Sequence, residues 1–316
     1  MRRLIALLAV VWALQAHADP EILIVDGPVG GKLAGTIAVP EKPNGQVAII
    51  IPGSGPTDRD GNNPLGVKAA PYRLLAEGLG EKGIATVRFD KRGLFGSKGA
   101  VADANAVRIS DYVADVRSWI ASARHRTGAK CVWLIGHSEG GLVALATVKD
   151  TPDVCGLVLV AAAGRKLGVV IREQLQANPA NAPLLDQANI ALASLEAGQH
   201  ADVSAMNPAL LPLFRPQVQD FLIDEMSYDP AKLIAAAGKP VLILQGKRDI
   251  QISVKDAQLL KEADPKAELV LIDDANHVLK SVASDDRAAN IATYGNPDLP
   301  LANGIVESIA NFMEGN

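Results

Sequence analysis

Eight short apolar runs separated by stretches of helical periodicity constrain this chain more than any other feature. They are EILIV (21–25), LAGTIAV (33–39), QVAIIIP (46–52), IATVRFD (84–90), CVWLIG (131–136), GLVLVAA (156–162), PVLILQG (240–246) and AELVLID (267–273). Runs of this length, rich in β-branched residues and alternating with helices, require a mostly parallel sheet flanked by helices, an α/β fold. The first two runs are joined by a Gly/Pro-rich connection and predict an antiparallel start. Helices are predicted over 70–82, over 108–126, directly after Ser138, and over roughly 253–263 and 303–314. In the second of these, Ile109, Tyr112, Val113, Val116, Trp119 and Ile120 recur at helical spacing.

The rhythm breaks between residues 165 and 228. No strand pattern occurs there, and short helical stretches are split by Pro and Gly. This segment reads as a helical cap inserted between two parts of one core, residues 19–164 and 229–316. A cap above the carboxyl edge of the sheet would shape a pocket, because open α/β sheets bind ligands outside the strand C-termini. Leu211, Leu213 and Phe214 are candidates either for the pocket wall or for the core of the cap.

Residues 1–18 read as an address rather than as structure. Arg2 and Arg3 precede the apolar stretch Leu4–Leu14, and Ala-His-Ala precedes Asp19, the pattern of a cleaved secretory signal. Eleven apolar residues are too few to span a bilayer, and no cysteine at the cleavage point offers a lipid anchor. Export to a periplasm or the medium is expected, with no stable membrane anchor. Cys131 and Cys155 each lie at the start of an apolar run. If those runs are neighbouring parallel strands, strand spacing would allow a disulfide; two buried free thiols are the alternative.

The segment Gly136-His137-Ser138-Glu139-Gly140 carries the chemistry. G-x-S-x-G between a strand and a helix is a nucleophile elbow, in which the serine sits on a bend so sharp that the flanking residues must be small. Gly136 and Gly140 meet that need. The helix that follows would aim its positive N-terminal end at an anion formed on the substrate. A lone five-residue match is weak, but strand, turn and helix are all in place here.

A serine hydroxyl needs a base. His17 leaves with the signal, His125 lies at the wrong end of the sheet, and His200 falls in the inserted segment at a solvated position. The His137 side chain should point away from the nucleophile and pack beside the elbow. His277 remains, just after the last run. Asp249 follows the preceding run, so Ser138, Asp249 and His277 come in the order Ser…Asp…His, each after a separate strand. Asp249 could instead cap a helix, and Asp273 and Asp274 could be solvated loop acids. Two backbone N–H groups must hold the oxyanion: that of Glu139, and that of Ser54 in the loop PGSGPTDRDGN. In that loop Asp58, Arg59 and Asp60 read as local ion-pairing and turn residues, and Asp90 and Arg92 read as architectural charges.

These motifs (PGSGPTDRDGN, DKRGLFGS, GHSEGG, GKRDIQIS and ANHVLK) together resemble those of the α/β-hydrolase superfamily, specifically bacterial serine carboxylesterases with a helical cap. The resemblance spans essentially the whole mature length. It implies a Ser138 nucleophile, an Asp249 acid, a His277 base, and an oxyanion hole from Ser54 and Glu139. The oxyanion loop begins Pro-Gly rather than the His-Gly of many lipases, which leaves the preferred acyl chain less defined. The expected activity is hydrolysis of small-molecule esters of short to medium acyl chain through an acyl-enzyme. A peptidase or acyltransferase on the same triad is the alternative, and a non-catalytic binding protein is a further one. A net charge of −4 and the absence of a basic run argue against nucleic acid. No zinc-ligand spacing and no G-x-G-x-x-G fingerprint occur, so neither a metal nor a cofactor is expected.

Overall fold

The computed structural model describes residues 20–316; the signal expected over 1–18 lies outside them. Each of the eight apolar runs forms a strand, with bounds within two residues of those expected. In chain order the elements are β1 (Glu21–Asp26), β2 (Lys32–Ala38), β3 (Val47–Ile51), α1 (Pro71–Glu81), β4 (Ala85–Phe89), α2 (Ile109–Thr127), β5 (Val132–His137), α3 (Glu139–Val148) and β6 (Val154–Val160). Five helices follow without a strand: α4 (Leu167–Gln176), α5 (Leu185–Glu196), α6 (Leu211–Phe214), α7 (Pro216–Met226) and α8 (Pro230–Ala235). The chain closes with β7 (Val241–Gly246), α9 (Val254–Ala263), β8 (Glu268–Ile272), α10 (Arg287–Ala292) and α11 (Ile305–Gly315).

The strands form one sheet in the order β1-β2-β4-β3-β5-β6-β7-β8. β2 runs antiparallel to both its neighbours, and every later pairing is parallel. The central strands are buried on both sides, and their alternating side chains enter two separate cores. From β3, Ile49 and Ile51 face a core shared with Val116 and Trp119 of α2, Val143 of α3 and Leu260 of α9. Ala48 and Ile50 face the other core, with Leu75 and Leu79 of α1 and Ile305 and Ile309 of α11. β5 alternates in the same way, Val132 and Leu134 against Trp133 and Ile135. Local signals set the helix ends. Pro71 opens α1. The Arg108 N–H donates to the Asp111 carboxylate at 2.9 Å at the start of α2, and Gly128 closes that helix with φ +74°.

The helices α4, α5 and α7 pack around a third core of their own, centred on Leu192, Leu195, Phe214 and Leu222. Phe214 therefore belongs to that core rather than to a pocket wall. At the amino ends of β5 and β6, Cys131 and Cys155 are joined by a disulfide with a Cα separation of 5.2 Å. The parallel pairing of the two strands brings the cysteines to the same end. A covalent link closing a loop of this length stabilises a fold by about 3 kcal/mol.

The charges after β3 correct one expectation. Arg59 and Asp60 do not pair locally within their loop. Arg59 reaches Asp90 at 2.6 Å, and Asp60 pairs with Arg88 of β4. They bind the loop after β3 to β4, the neighbouring strand in the sheet, and to the loop that follows it. Arg92 pairs with the buried Asp115 of α2.

Candidate active site

Ser138 sits between β5 and α3 with φ 54° and ψ −122°, a conformation that costs a side-chain-bearing residue energy and persists only where the surroundings enforce it. The enforcement is visible in the flanking glycines. A Cβ on Gly136 would lie 2.3 Å from the Gly140 carbonyl oxygen, and one on Gly140 would lie 2.3 Å from that of Ile51. Strand, helix and the loop after β3 are pressed together too closely for any side chain at these two positions. Ser138 N–H donates to the Val160 carbonyl at 2.9 Å, and Gly141 N–H to the Ser138 carbonyl at 2.9 Å, which fixes the bend.

Asp249 and His277 lie in the loops after β7 and β8 and touch directly. The Asp249 Oδ2 to His277 Nδ1 distance is 2.8 Å, and the two side chains are 0% and 7% exposed. The second oxygen, Oδ1, accepts from the N–H groups of Gln251 (2.7 Å) and Ile252 (3.0 Å), while Gln245 Nε2 lies 3.3 Å from Oδ2. Four atoms thus hold one carboxylate in a single orientation. The His277 loop is anchored by Asn276, whose amide donates to Asn290 at 3.0 Å and to Thr293 at 2.7 Å.

A cavity of about 630 Å³ opens above the elbow, lined by Ser54, Ser138 and Glu139 from the sheet side and by Val170, Leu213 and Phe221 from the helices above. Most of its wall is apolar, and the charged side chains that line it are Lys91, Glu139, Arg165, Arg215 and Glu225. Leu213 reaches the cavity and Leu211 does not line it. His125 and His200 are both exposed, the latter paired with Asp220 at 2.6 Å.

Residues 65–281 match the family described as serine aminopeptidase, S33. The chain belongs to that family. It is an α/β-hydrolase, and a serine hydrolase of carboxylesterase-like kind. Over 310 residues it is 24% identical to Esterase EstD of Thermotoga maritima, an alignment covering 96% of this chain and 70% of that protein. Its fold is similar to that of the esterase Pf2001 of Pyrococcus furiosus, at a TM-score of 0.60 and 15% identity over 94% and 91% of the two chains. Est1E of Butyrivibrio proteoclasticus aligns with a TM-score of 0.57 and 16% identity over 93% and 98%.

In this hydrolase His137 does more than pack beside the elbow. Gly53 N–H donates to the Tyr72 hydroxyl at 3.0 Å, that hydroxyl lies 2.8 Å from His137 Nδ1, and His137 Nε2 lies 2.8 Å from the His277 carbonyl oxygen. A carbonyl can only accept, so Nε2 carries the proton, and Tyr72 donates to Nδ1. The two imidazole rings are 4.8 Å apart. One chain of bonds therefore joins the loop after β3 to the backbone of His277, passing behind Ser138. Sequence reasoning missed Tyr72, for which no local signal exists. It also missed Lys91, whose position directly after β4 placed it at the sheet's carboxyl edge and could have flagged it.

Burial, and next the neighbouring His277, push the pKa of His137 down to about 3. We predict that its ring stays neutral, protonated on Nε2, from pH 4.5 to 8 in nitrogen–proton NMR spectra of the folded protein. A titration with a midpoint near 6.5 would refute the bonding described. The consequence for stability has a definite sign. Between about pH 6.5 and 3 the unfolded imidazole binds a proton that the folded one does not. Stability therefore falls as pH drops through that window, by up to about 1.4 kcal/mol per pH unit from this group.

Proposed function

We propose that this hydrolase cleaves carboxylic esters of short to medium acyl chain, with Ser138 as nucleophile, His277 as general base and Asp249 as the acid that orients it. The buried 2.8 Å contact between Asp249 and His277 carries the reading. With Nδ1–H directed at the carboxylate, Nε2 of a neutral His277 is left with its lone pair to take the Ser138 proton as the hydroxyl attacks the ester carbonyl. The same nitrogen returns the proton to the departing alcohol, then activates water against the acyl-enzyme. Asp249 stabilises the imidazolium formed in both steps.

The negative oxygen of the tetrahedral intermediate requires donors fixed in advance. Gly53 N–H is committed to Tyr72, which supports Ser54 N–H as the donor from the loop after β3. Glu139 is the first residue of α3, where a helix leaves its N–H groups unpaired, and it supplies the second. Gly136 and Gly140 support the elbow without contacting substrate. Residues 165–228 act as a cap over the site; their separate apolar core and their contribution of Val170, Leu213 and Phe221 to the cavity support this. The esterase names of the relatives favour esters, while the aminopeptidase description of the family keeps amide cleavage as a second reading.

We also propose export. The basic and apolar pattern of residues 1–18, together with a joined cysteine pair, is what an exported chain carries. One experiment addresses all of this. Exported protein is collected and assayed on p-nitrophenyl esters from acetate to decanoate and on amino-acid anilides. Ester turnover with an optimum at or below the octanoate, negligible anilide cleavage and an N-terminus at Asp19 are expected. Faster anilide cleavage would assign a peptidase, and retention of residues 1–18 on protein found only inside the cell would remove the export reading.

A further inference from the structure

The mechanism leaves one polar cluster in the cavity wall unused. Four residues from four elements meet there: Lys91 after β4, Tyr112 of α2, Glu139 of α3 and Glu225 of α7. Lys91 Nζ lies 3.0 Å from Glu139 Oε1 and 5.1 Å from the Tyr112 ring centre. The other oxygen, Glu139 Oε2, is buried and has no hydrogen-bond partner. Glu225 is 7% exposed and lines the cavity. No hydrogen bond or ion pair described for residues 20–316 involves its carboxyl group.

A buried oxygen without a partner and a carboxyl without one, on two residues that line the same cavity and whose charges influence each other, favour a ligand that can bond to both. Their charge states define what that is. Burial opposes the charge of Lys91, but Glu139, Tyr112 and Glu225 together outweigh it and hold the lysine pKa above its ordinary value. Burial, and then the Glu139 charge, push the Glu225 pKa well above the usual carboxylate range. The upward push on Glu225 favours its protonated form, beside the Lys91–Glu139 ion pair. An ammonium on the substrate would confront Lys91, and a carboxylate would confront Glu139. A neutral hydroxyl suits both free groups, donating to Glu139 Oε2 and accepting from the Glu225 acid.

We propose that Glu139 Oε2 and the Glu225 carboxyl form a hydroxyl-binding subsite, through which the hydrolase selects esters bearing a hydroxyl on their acyl or alcohol arm. This rests on the ester-hydrolase reading and adds a substrate class to it. A plain alkyl arm fills the same space but leaves both groups unpaired in a water-poor site, which is the condition under which discrimination by hydrogen bonding is large.

The test compares matched pairs in a pH-stat. One arm pairs methyl butyrate, hexanoate and octanoate with their hydroxyl-bearing counterparts at successive carbons; the other pairs hexyl acetate with hydroxyhexyl acetates. For at least one hydroxyl position kcat/KM should exceed that of the parent ester by about tenfold or more, and the arm in which this occurs assigns the subsite to acyl or alcohol. Glu225→Leu should bring that ratio to near one. Glu225→Gln, which keeps both a donor and an acceptor, should preserve most of it. Independently of either variant folding, 1,6-hexanediol should inhibit the wild-type enzyme about tenfold more tightly than 1-hexanol. Ratios near one for every wild-type pair, or a preference that survives Glu225→Leu, would overturn the proposal. Loss of the underlying reading looks different: no Ser138-dependent turnover of either member of any pair.

Discussion

Replacing Ser138 with alanine should lower kcat/KM for every hydrolysed ester by about 10⁴- to 10⁶-fold. The loss is large because no other group in the cavity occupies the elbow, so only the oxyanion donors and substrate binding remain to assist attack by water. The protein itself should not suffer. The unfavourable backbone at position 138 is imposed by the packing of β5, α3 and the loop after β3, and alanine meets it with no more strain than serine does. The variant should therefore melt at or above the wild-type temperature. Calorimetry beside the kinetics checks both halves, and a variant that retained wild-type turnover would remove Ser138 from the mechanism.

Asp249→Asn should cost about 10³- to 10⁴-fold in kcat, although it removes one charge and hardly any volume. The bonding around the carboxylate dictates why. Its Oδ1 position is filled by two backbone N–H donors, from Gln251 and Ile252. The asparagine oxygen must take that place, which turns the amide NH₂ toward His277. Nδ1 then has to accept, its proton moves to Nε2, and the ring presents a donor to Ser138 where an acceptor is needed. Gln245 Nε2, a donor 3.3 Å from the Oδ2 position, opposes that orientation but is outweighed by the two shorter backbone bonds at Oδ1. Single-turnover kinetics should show the loss in acylation, and ring NMR should show the exchanged tautomer. An Asp249→Asn enzyme within tenfold of wild type would assign the orienting role elsewhere.

The fold was legible in the sequence because its signals are local. Each apolar run became a strand, and the glycine pair at 136 and 140 announced a bend whose tightness the coordinates express as contacts that a methyl group could not survive. Asp249 and His277 could be singled out since both follow strands, so topology alone directs them to one edge of the sheet. Other features depended on what lies across the gap between elements. Arg59 reads as a turn residue until β4 is known to be the neighbour of β3. Tyr72 reads as one more apolar face residue of α1. Glu225 was partly signalled: it shares the buried side of α7 with Gln219, Leu222 and Met226, an odd place for an acid. Its meaning emerges only beside Lys91 and Glu139, which come from distant parts of the chain.

The covalent tie between Cys131 and Cys155 sits at the foot of β5 and β6, while Ser138 crowns the other end of β5, about 20 Å away along the strand. Durability and the proposed chemistry thereby lie at opposite poles of β5. A reductant reaching the lower pole would shorten the working life of the molecule before it altered the rate of any single catalytic cycle.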